Sequence, residues 1–282
     1  MIRLIYIQIL FFSFIHAVGL KALVIPQNAL TLSLSNTGVG DYLAAEINPA
    51  SIYKIDQHLG FSKNNWYGEL GGQKISSLFS DNKYFSFESL SVDDIELRDE
   101  IASDSPLGFF GAYWYSVDYS QSFQIPSLNS FSVGYRLKFN LSKMYDSSMY
   151  GVTADLGLIK KVKDNLSLGL VIKNFGKEYK SNLNADTPLT IGLGVSYNVP
   201  VIRLNILSDI VYQDDIVLNK IALKTSFPYV NLIFGSTQGD DYSDFSMGLI
   251  IDIKKWSIIY GSLKHDNDLI GTPSSFELRK YF

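Results

Sequence analysis

The stretch from Pro188 to Asn198 reads P-L-T-I-G-L-G-V-S-Y-N. Leu189, Ile191, Leu193, Val195 and Tyr197 fall on one face of an extended chain. Thr190, Gly192, Gly194, Ser196 and Asn198 fall on the other, because strand side chains alternate between faces. One face is therefore apolar and the other small and polar. The segment is long enough to cross a bilayer as a tilted strand, which takes roughly 9–11 residues. Strands of soluble sandwiches are usually shorter, about 5–6 residues.

The same pattern returns along the chain. Phe131, Val133, Tyr135, Leu137, Phe139 and Leu141 oppose Ser132, Gly134, Arg136, Lys138 and Asn140. Leu166, Leu168, Leu170 and Ile172 oppose Ser167, Gly169 and Lys173. Phe245, Met247, Leu249, Ile251 and Ile253 oppose Asp244, Ser246, Gly248 and Asp252. Charges at mid-strand, all on the non-apolar face, fit a polar lumen and are awkward in a dry sandwich core. From His58 onward about fourteen such segments are read: 58–64, 67–78, 83–91, 108–119, 130–141, 149–160, 166–174, 188–198, 201–212, 216–227, 229–237, 244–254, 256–264 and 273–282. The phasing fails at Trp256–Lys264 and Phe109–Tyr119, where both faces carry large apolar groups.

The connections alternate too. Val162–Asn165, Asn198–Pro200, Pro228-Tyr229 and Lys254-Lys255 are tight. Val92–Leu107, Ser142–Ser148, Phe175–Thr187, Gln238–Ser243 and His265–Thr272 are longer and more polar. Short turns at one end and longer loops at the other mark transmembrane barrels. Three connections break the parity: Ser120–Asn129 is too long, and Asn64–Trp66 and Gln213–Asp215 are too short.

Composition sets the outer bounds. In 282 residues the formal net charge is −4 and there is no cysteine. The chain therefore has no disulfide, thiolate metal site or cysteine nucleophile. Mild acidity gives no reason to expect nucleic acid. Arg3, the apolar run Leu4–Ile15 and the small residues Ala17 and Gly19 follow the order of a secretory signal. Residues 1–19 are accordingly read as a cleaved signal, with cleavage after Gly19 or, alternatively, at Ala22. Residues 20–57 lack strand periodicity and are read as an N-terminal hatch. Gly38 and Gly40 lie in it, Asp41–Ile47 is expected to form one or two helical turns, and a turn is expected at Asn48-Pro49-Ala50, since a residue before proline avoids the helical region. Residues 58–282 are read as the barrel. The chain closes on Phe276-Glu277-Leu278-Arg279-Lys280-Tyr281-Phe282, with Phe276, Leu278 and terminal Phe282 on the apolar face and Lys280 out of place there.

Catalytic and metal motifs are missing from the sequence. His58 and His265 stand alone without ligand spacing and are read as surface or interface histidines. The pairs Asp214-Asp215 and Asp240-Asp241 offer too few oxygens for calcium and are read as solvated carboxylates. Trp66, Tyr67, Tyr113, Trp114, Tyr115 and Trp256 are read as an interfacial girdle. No G-x-S-x-G elbow, H-E-x-x-H or phosphate loop occurs. The chain is therefore read as a non-enzyme without cofactor or metal.

The ordered features resemble the PorV/PorQ family, outer-membrane proteins of the type IX secretion system with FadL-type barrels. The residues that carry the resemblance are Gly38-Val39-Gly40 with Asn48-Pro49-Ala50, Pro106-Leu107-Gly108, Asp155-Leu156-Gly157-Leu158, Ile172-Lys173-Asn174-Phe175-Gly176 and Pro188-Leu189. Asp41-Tyr42 and Thr190 depart from it. The resemblance implies an all-β, transmembrane antiparallel barrel of about 14 strands with a short N-terminal hatch containing Asn48-Pro49-Ala50. It implies a place in the outer membrane, among outer-membrane lipid, as a component of type IX protein secretion that holds secretion-system subunits or secreted cargo. The alternatives are a FadL-type transporter of a hydrophobic small molecule, and a purely structural barrel. The competing architecture is a pair of soluble secreted β-sandwiches.

Overall fold

The computed structural model describes residues 20–79, 82–98, 105–125, 130–180, 183–213, 215–240, 243–266 and 271–282. The signal expected over residues 1–19 lies outside the described residues, as do Asp214 and Asp241. Among the described residues no helix is long and apolar enough to cross a membrane. The wall consists of strands.

Fifteen strands follow in chain order, each antiparallel to its neighbours: β1 (His58–Asn65), β2 (Gly71–Phe79), β3 (Lys83–Leu97), β4 (Gly108–Gln124), β5 (Phe131–Met144), β6 (Ser147–Lys163), β7 (Leu166–Lys180), β8 (Leu183–Asp186), β9 (Thr190–Val199), β10 (Leu204–Gln213), β11 (Ile216–Ser226), β12 (Val230–Gln238), β13 (Ser243–Ile253), β14 (Trp256–His265) and β15 (Ser274–Tyr281). β1 pairs with β15, from His58 opposite Tyr281 to Asn65 opposite Ser274, and closes the sheet. β7 pairs with β9 directly, while β8 is a short extension on the upper end of β7. The closed wall therefore has fourteen strands. Closure pairs the edge groups that lipid cannot solvate.

The expected alternation sets the two faces. Phe61, Phe139, Leu193, Ile221 and Tyr260 stand on the outside and are exposed, while Ser62, Asn140, Gly194, Ala222 and Gly261 face the lumen. An exposed apolar surface of this extent is a lipid-facing surface.

Several expected loops are strand. β5 and β6 are joined by Tyr145-Asp146 alone, so most of Ser142–Ser148 continues the ladder. β7 and β8 occupy most of Phe175–Thr187, and β4 runs on to Gln124. As a result β3 to β7 are 14 to 17 residues long, against 8 to 11 for β9 to β15. The extensions carry polar residues on both faces, so no alternation marks them. We call the end that holds His58 and Phe282 the turn end, and the opposite one the loop end.

Residues 20–57 run inside the wall. Asp41–Ile47 is not helical. The helix is α1 (Ala29–Ser33), and Pro49–Lys54 forms a 3-10 helix. A five-residue helix is too short to stand alone, so its ends are fixed locally. Asn28 Oδ1 accepts from the Thr31 N–H at 2.9 Å, and Thr31 Oγ1 accepts from the Asn28 N–H at 3.1 Å. This reciprocal cap satisfies two otherwise orphaned amides.

Candidate functional site

The inner segment fits the wall because the wall lacks side chains where the segment passes. A Cβ on Gly157 would lie 1.9 Å from Asn48 Oδ1, and one on Gly134 2.3 Å from the Pro49 carbonyl carbon. On Gly169 it would lie 1.9 Å from the Val39 carbonyl oxygen, and on Gly248 2.0 Å from Ser33 Oγ. Mid-strand glycines here serve close backbone approach. Gly134 faces Gly157 across β5 and β6, Gly169 faces Gly194 across β7 and β9, and Gly248 faces Gly261 across β13 and β14. They form a track around the interior.

Asn48 sits extended at φ −140°, as its position before proline requires, and caps the 3-10 helix by accepting from the Ala50 N–H at 3.0 Å. Its Nδ2 donates to the Val39 oxygen at 2.8 Å and to the Leu158 and Leu170 carbonyls of the wall, each at 3.3 Å. Pro49 and Ala50 are buried. Gly38 has φ +131°, and Asp209 of β10 accepts from the Gly38 and Val39 amides at 2.6 and 3.1 Å. Gly40 packs so close to the wall that a Cβ would meet the Gly194 oxygen at 2.8 Å. Residues 38–40 and 48–50, distant in sequence, are thus joined by the Asn48–Val39 bond.

One side of the lumen is charged. Arg136 donates to the Ala45 and Glu46 carbonyls of the inner segment at 2.6 and 3.3 Å, and lies 3.4 Å from Asp118 and 3.5 Å from Asp155. Lys138 pairs with Asp155 at 3.0 Å. Glu46 reaches the wall in return: its Oε1 accepts from Lys74 Nζ at 2.9 Å and Tyr84 OH at 2.6 Å, and within the inner segment from Asn28 Nδ2 at 3.0 Å. Burial alone would raise the Glu46 carboxyl's pKa. Lys74, Arg279, the Tyr84 hydroxyl and Arg136 together hold it below the usual carboxylate range.

The other side carries an apolar cluster. Leu30, Leu34, Val39 and Ile47 of the inner segment pack with Leu207, Ala222, Ile233, Ile250 and Ile259 of β10 to β14. This explains the double-apolar phasing of Trp256–Lys264. Ile259 and Leu263 face the segment, while Ile258 and Tyr260 face outward. The lumen is therefore not polar throughout.

Toward the loop end the filling stops. A cavity of about 440 Å³ opens between Val24, Ile25 and Pro26 on one side and Trp66, Tyr67, Leu70, Ile216, Leu218 and Leu263 on the other, with Lys220 and Asp244 among its few polar groups. Trp66 and Trp114 belong to the apolar cluster beside it, with Leu23 and Leu90. They are buried and turn inward, so they are not part of an outer girdle. Tyr115 and Trp256 do stand outside. Local spacing cannot separate an inward ring at a strand end from an interfacial one.

Other expected positions fall as follows. His58 is buried on the inner face, its Nδ1 2.8 Å from the Asp56 oxygen and its ring against Tyr281, and so is not a surface histidine. Asp215 accepts from Tyr212 OH at 2.6 Å. Phe276 and Phe282 are exposed on the outside and Leu278 is half-buried. Lys280 is also outward, with its ammonium 5.6 Å from the Trp256 ring and 5.9 Å from that of Phe282. A long lysine stem lies along apolar surface while its head reaches water.

No protein-family model matches the chain, and no curated protein sequence matches it. Solved structures do. The toluene transporter TbuX of Ralstonia pickettii superposes with a TM-score of 0.65 at 10% identity, over 90% of this chain and 98% of that one. The CymD monoaromatic hydrocarbon channel gives 0.66 at 11% identity, over 91% and 97%. A FadL homologue of Pseudomonas aeruginosa gives 0.60 at 11% identity, over 90% and 97%. At these identities the likeness is one of fold, and the fold is that of the FadL-type barrels.

Proposed function

We propose that this protein is an outer-membrane channel that admits a hydrophobic small molecule. The observation that carries the reading is the 440 Å³ cavity at the loop end, apolar over most of its lining and set above the inner segment. Ligand sites are usually concave, about 300–1,000 Å³, and apolar with a few placed polar groups. The transporter and channel barrels that share the fold are consistent with it. The inner segment fills the turn-end half, so passage requires it to shift or requires an exit beside it. The reading includes export by a cleaved N-terminal signal and no catalytic role.

The secretion reading rests on the ordered motifs that resemble the PorV/PorQ family. Three of those motifs lie at the contacts that seat the inner segment, with Asn48 and Pro49 on Gly157 and Gly134 and Val39 on Gly169, whereas Leu107 and Gly108 stand clear of it. They serve the fold that both readings share and do not distinguish a secretion component from a channel.

The test is uptake of a radiolabelled monoaromatic hydrocarbon into vesicles that hold the full chain, compared with Leu218→Trp. The expected outcome is uptake above empty vesicles, reduced about tenfold by the ring that fills the cavity, a loss of about 1.4 kcal/mol in apparent binding. Equal uptake by wild type, variant and empty vesicles, together with secretion subunits recovered by crosslinking in native membranes, would replace the channel with the secretion component.

A further inference from the structure

Four buried side-chain oxygens without a hydrogen-bond partner lie on two strands that flank β6: Asn140 Oδ1 and Ser142 Oγ on β5, and both Oε atoms of Glu178 on β7. Asn140 on β5 is opposite Gly151 on β6, and Gly151 is opposite Glu178 on β7. Gly151 has no side chain to separate them. A Cβ there would lie 2.7 Å from Glu178 Cγ, so the Glu178 side chain leans across Gly151 toward β5. Ser142 lies two residues further along β5, on the same face as Asn140. Asn140 and Glu178 are both fully buried.

Among the described residues, nothing in the wall neutralises this carboxylate. Lys138, one pleat toward the turn end, is occupied by Asn174 at 2.9 Å and Asp155 at 3.0 Å. Lys177 stands on the opposite face of β7. Among the described residues no ion pair reaches Glu178. The Asn140 amide nitrogen is directed to Thr153 Oγ1 at 3.5 Å, which leaves its oxygen without a donor. A fully buried carboxylate beside further bare oxygens is strongly disfavoured unless something positive lies among them.

We propose that Glu178, Asn140 and Ser142 bind a calcium ion within the loop-end extension of the wall. The donor set is a carboxylate, an amide oxygen and a hydroxyl, with no nitrogen or sulfur, which selects a hard cation. Calcium accepts irregular oxygen cages and completes its 6–8 ligands with water, whereas magnesium demands a near-octahedral one. The ion ties β5 to β7 across Gly151 of β6, where these strands extend beyond the shorter ones. The site does not depend on the channel reading, since it concerns the wall and not the cavity.

The experiment is urea unfolding of the full chain in detergent micelles, in excess chelator, in calcium and in magnesium, with equilibrium dialysis to count bound calcium. Calcium at about 100 times its Kd is expected to favour the folded state about a hundredfold, with magnesium much weaker. Dialysis is expected to find one calcium per chain. Glu178→Gln is expected to lose that response and to equal or exceed wild type in chelator, because its side chain is neutral. Asn140→Leu is expected to weaken binding. No calcium bound to wild type overturns the proposal, as does an unchanged response in Glu178→Gln. So does stability in chelator that falls with rising pH while calcium has no effect, since that pattern belongs to a protonated Glu178. If Glu178→Gln fails to fold, the dialysis count on wild type and Asn140→Leu decides the matter.

Discussion

The two sides of the lumen hold the same inner segment by different physics. On the side of β2 to β6, Lys74, Tyr84 and Arg136 meet Glu46 and the carbonyls of Ala45 and Glu46 through directed bonds, and Asp118, Asp155 and Lys138 form the ion-pair network behind Arg136. On the side of β10 to β14, Leu207, Ala222, Ile233, Ile250 and Ile259 pack against Leu30, Leu34 and Val39, beside separate bonds from Asp209, Lys220 and Ser246 to the segment's backbone. Charged groups gain only when every partner is in place, because each was taken out of water. Apolar packing tolerates small shifts. The charged side therefore holds the segment through one coupled network, and the other side adds non-directional burial to its separate backbone bonds. An inward leucine or isoleucine contributes roughly 1.5–3 kcal/mol.

The largest test of that division is Arg136→Met. It keeps the stem but leaves Asp118 short of its cation and two carbonyls of the inner segment without a donor. Breaking a buried pair by removing one partner costs about 3–5 kcal/mol. We expect a loss of that size in urea unfolding in micelles, and faster protease cleavage near residues 40–50. Adding Asp118→Asn removes the stranded charge and should recover part of the loss. If the double variant is as unstable as the sum of the singles, the charges do not act as a unit.

Ile233→Ala probes the other side and should cost less. Ile233 is fully buried in the apolar cluster. Large-to-small changes of this kind cost about 2–5 kcal/mol, depending on how well the site collapses. The short helix α1 can settle toward the gap, so we expect about 2–3 kcal/mol, with protease access near residues 40–50 unchanged. Ile233→Val should cost about 0.5–1.5 kcal/mol. Cleavage as fast as in Arg136→Met would mean that position is set by packing as well.

These differences also explain what the sequence made legible. The wall could be read from Pro188–Asn198 and its repeats because lipid on one face and lumen on the other force strict alternation. Extensions such as Ser142–Met144 could not, since Lys143 sits on the outward face and Met144 on the inner one, which breaks the contrast. Mid-strand Arg136 and Lys138 announced inward charge, but their partners come from β4, β6 and the inner segment, and no local pattern links them. Gly134, Gly169, Gly192, Gly194 and Gly248 were visible as small residues on the inner face. Their purpose appears only when Pro49, Val39, Gly40 and Ser33 lie against them. Helix α1 left almost no trace, because five residues span little more than one turn and its cap resembles any Asn-x-x-Thr.

The smallest expected effect concerns the turn that bridges the two sides. Asn48 touches the wall at β6 and β7 and holds Val39, whose side chain belongs to the apolar cluster, while Pro49 and Ala50 lie over the charged side's β5. The double change Asn48→Ala, Pro49→Ala removes the cap on the 3-10 helix and the bond to Val39. It leaves Arg136, Glu46 and the isoleucines in place. A lost cap costs about 0.5–2 kcal/mol, and proline's restriction of the unfolded chain adds about 0.4–1 kcal/mol. We expect a total of about 1–2 kcal/mol, because alanine fits the same space and the Leu158 and Leu170 carbonyls lie within strands. The barrel's ladder does not use these residues, so heat-modifiable migration on gels should be unchanged. The signature is local: faster cleavage near residues 40–50, or more small-solute leakage, at nearly full barrel stability. An assembled variant that matches wild type in both would mean that the two sides hold the segment independently and that Asn48 couples nothing. Loss of the folded barrel would instead place this turn in assembly, with the inner segment acting as a template on which β5, β6 and β7 close.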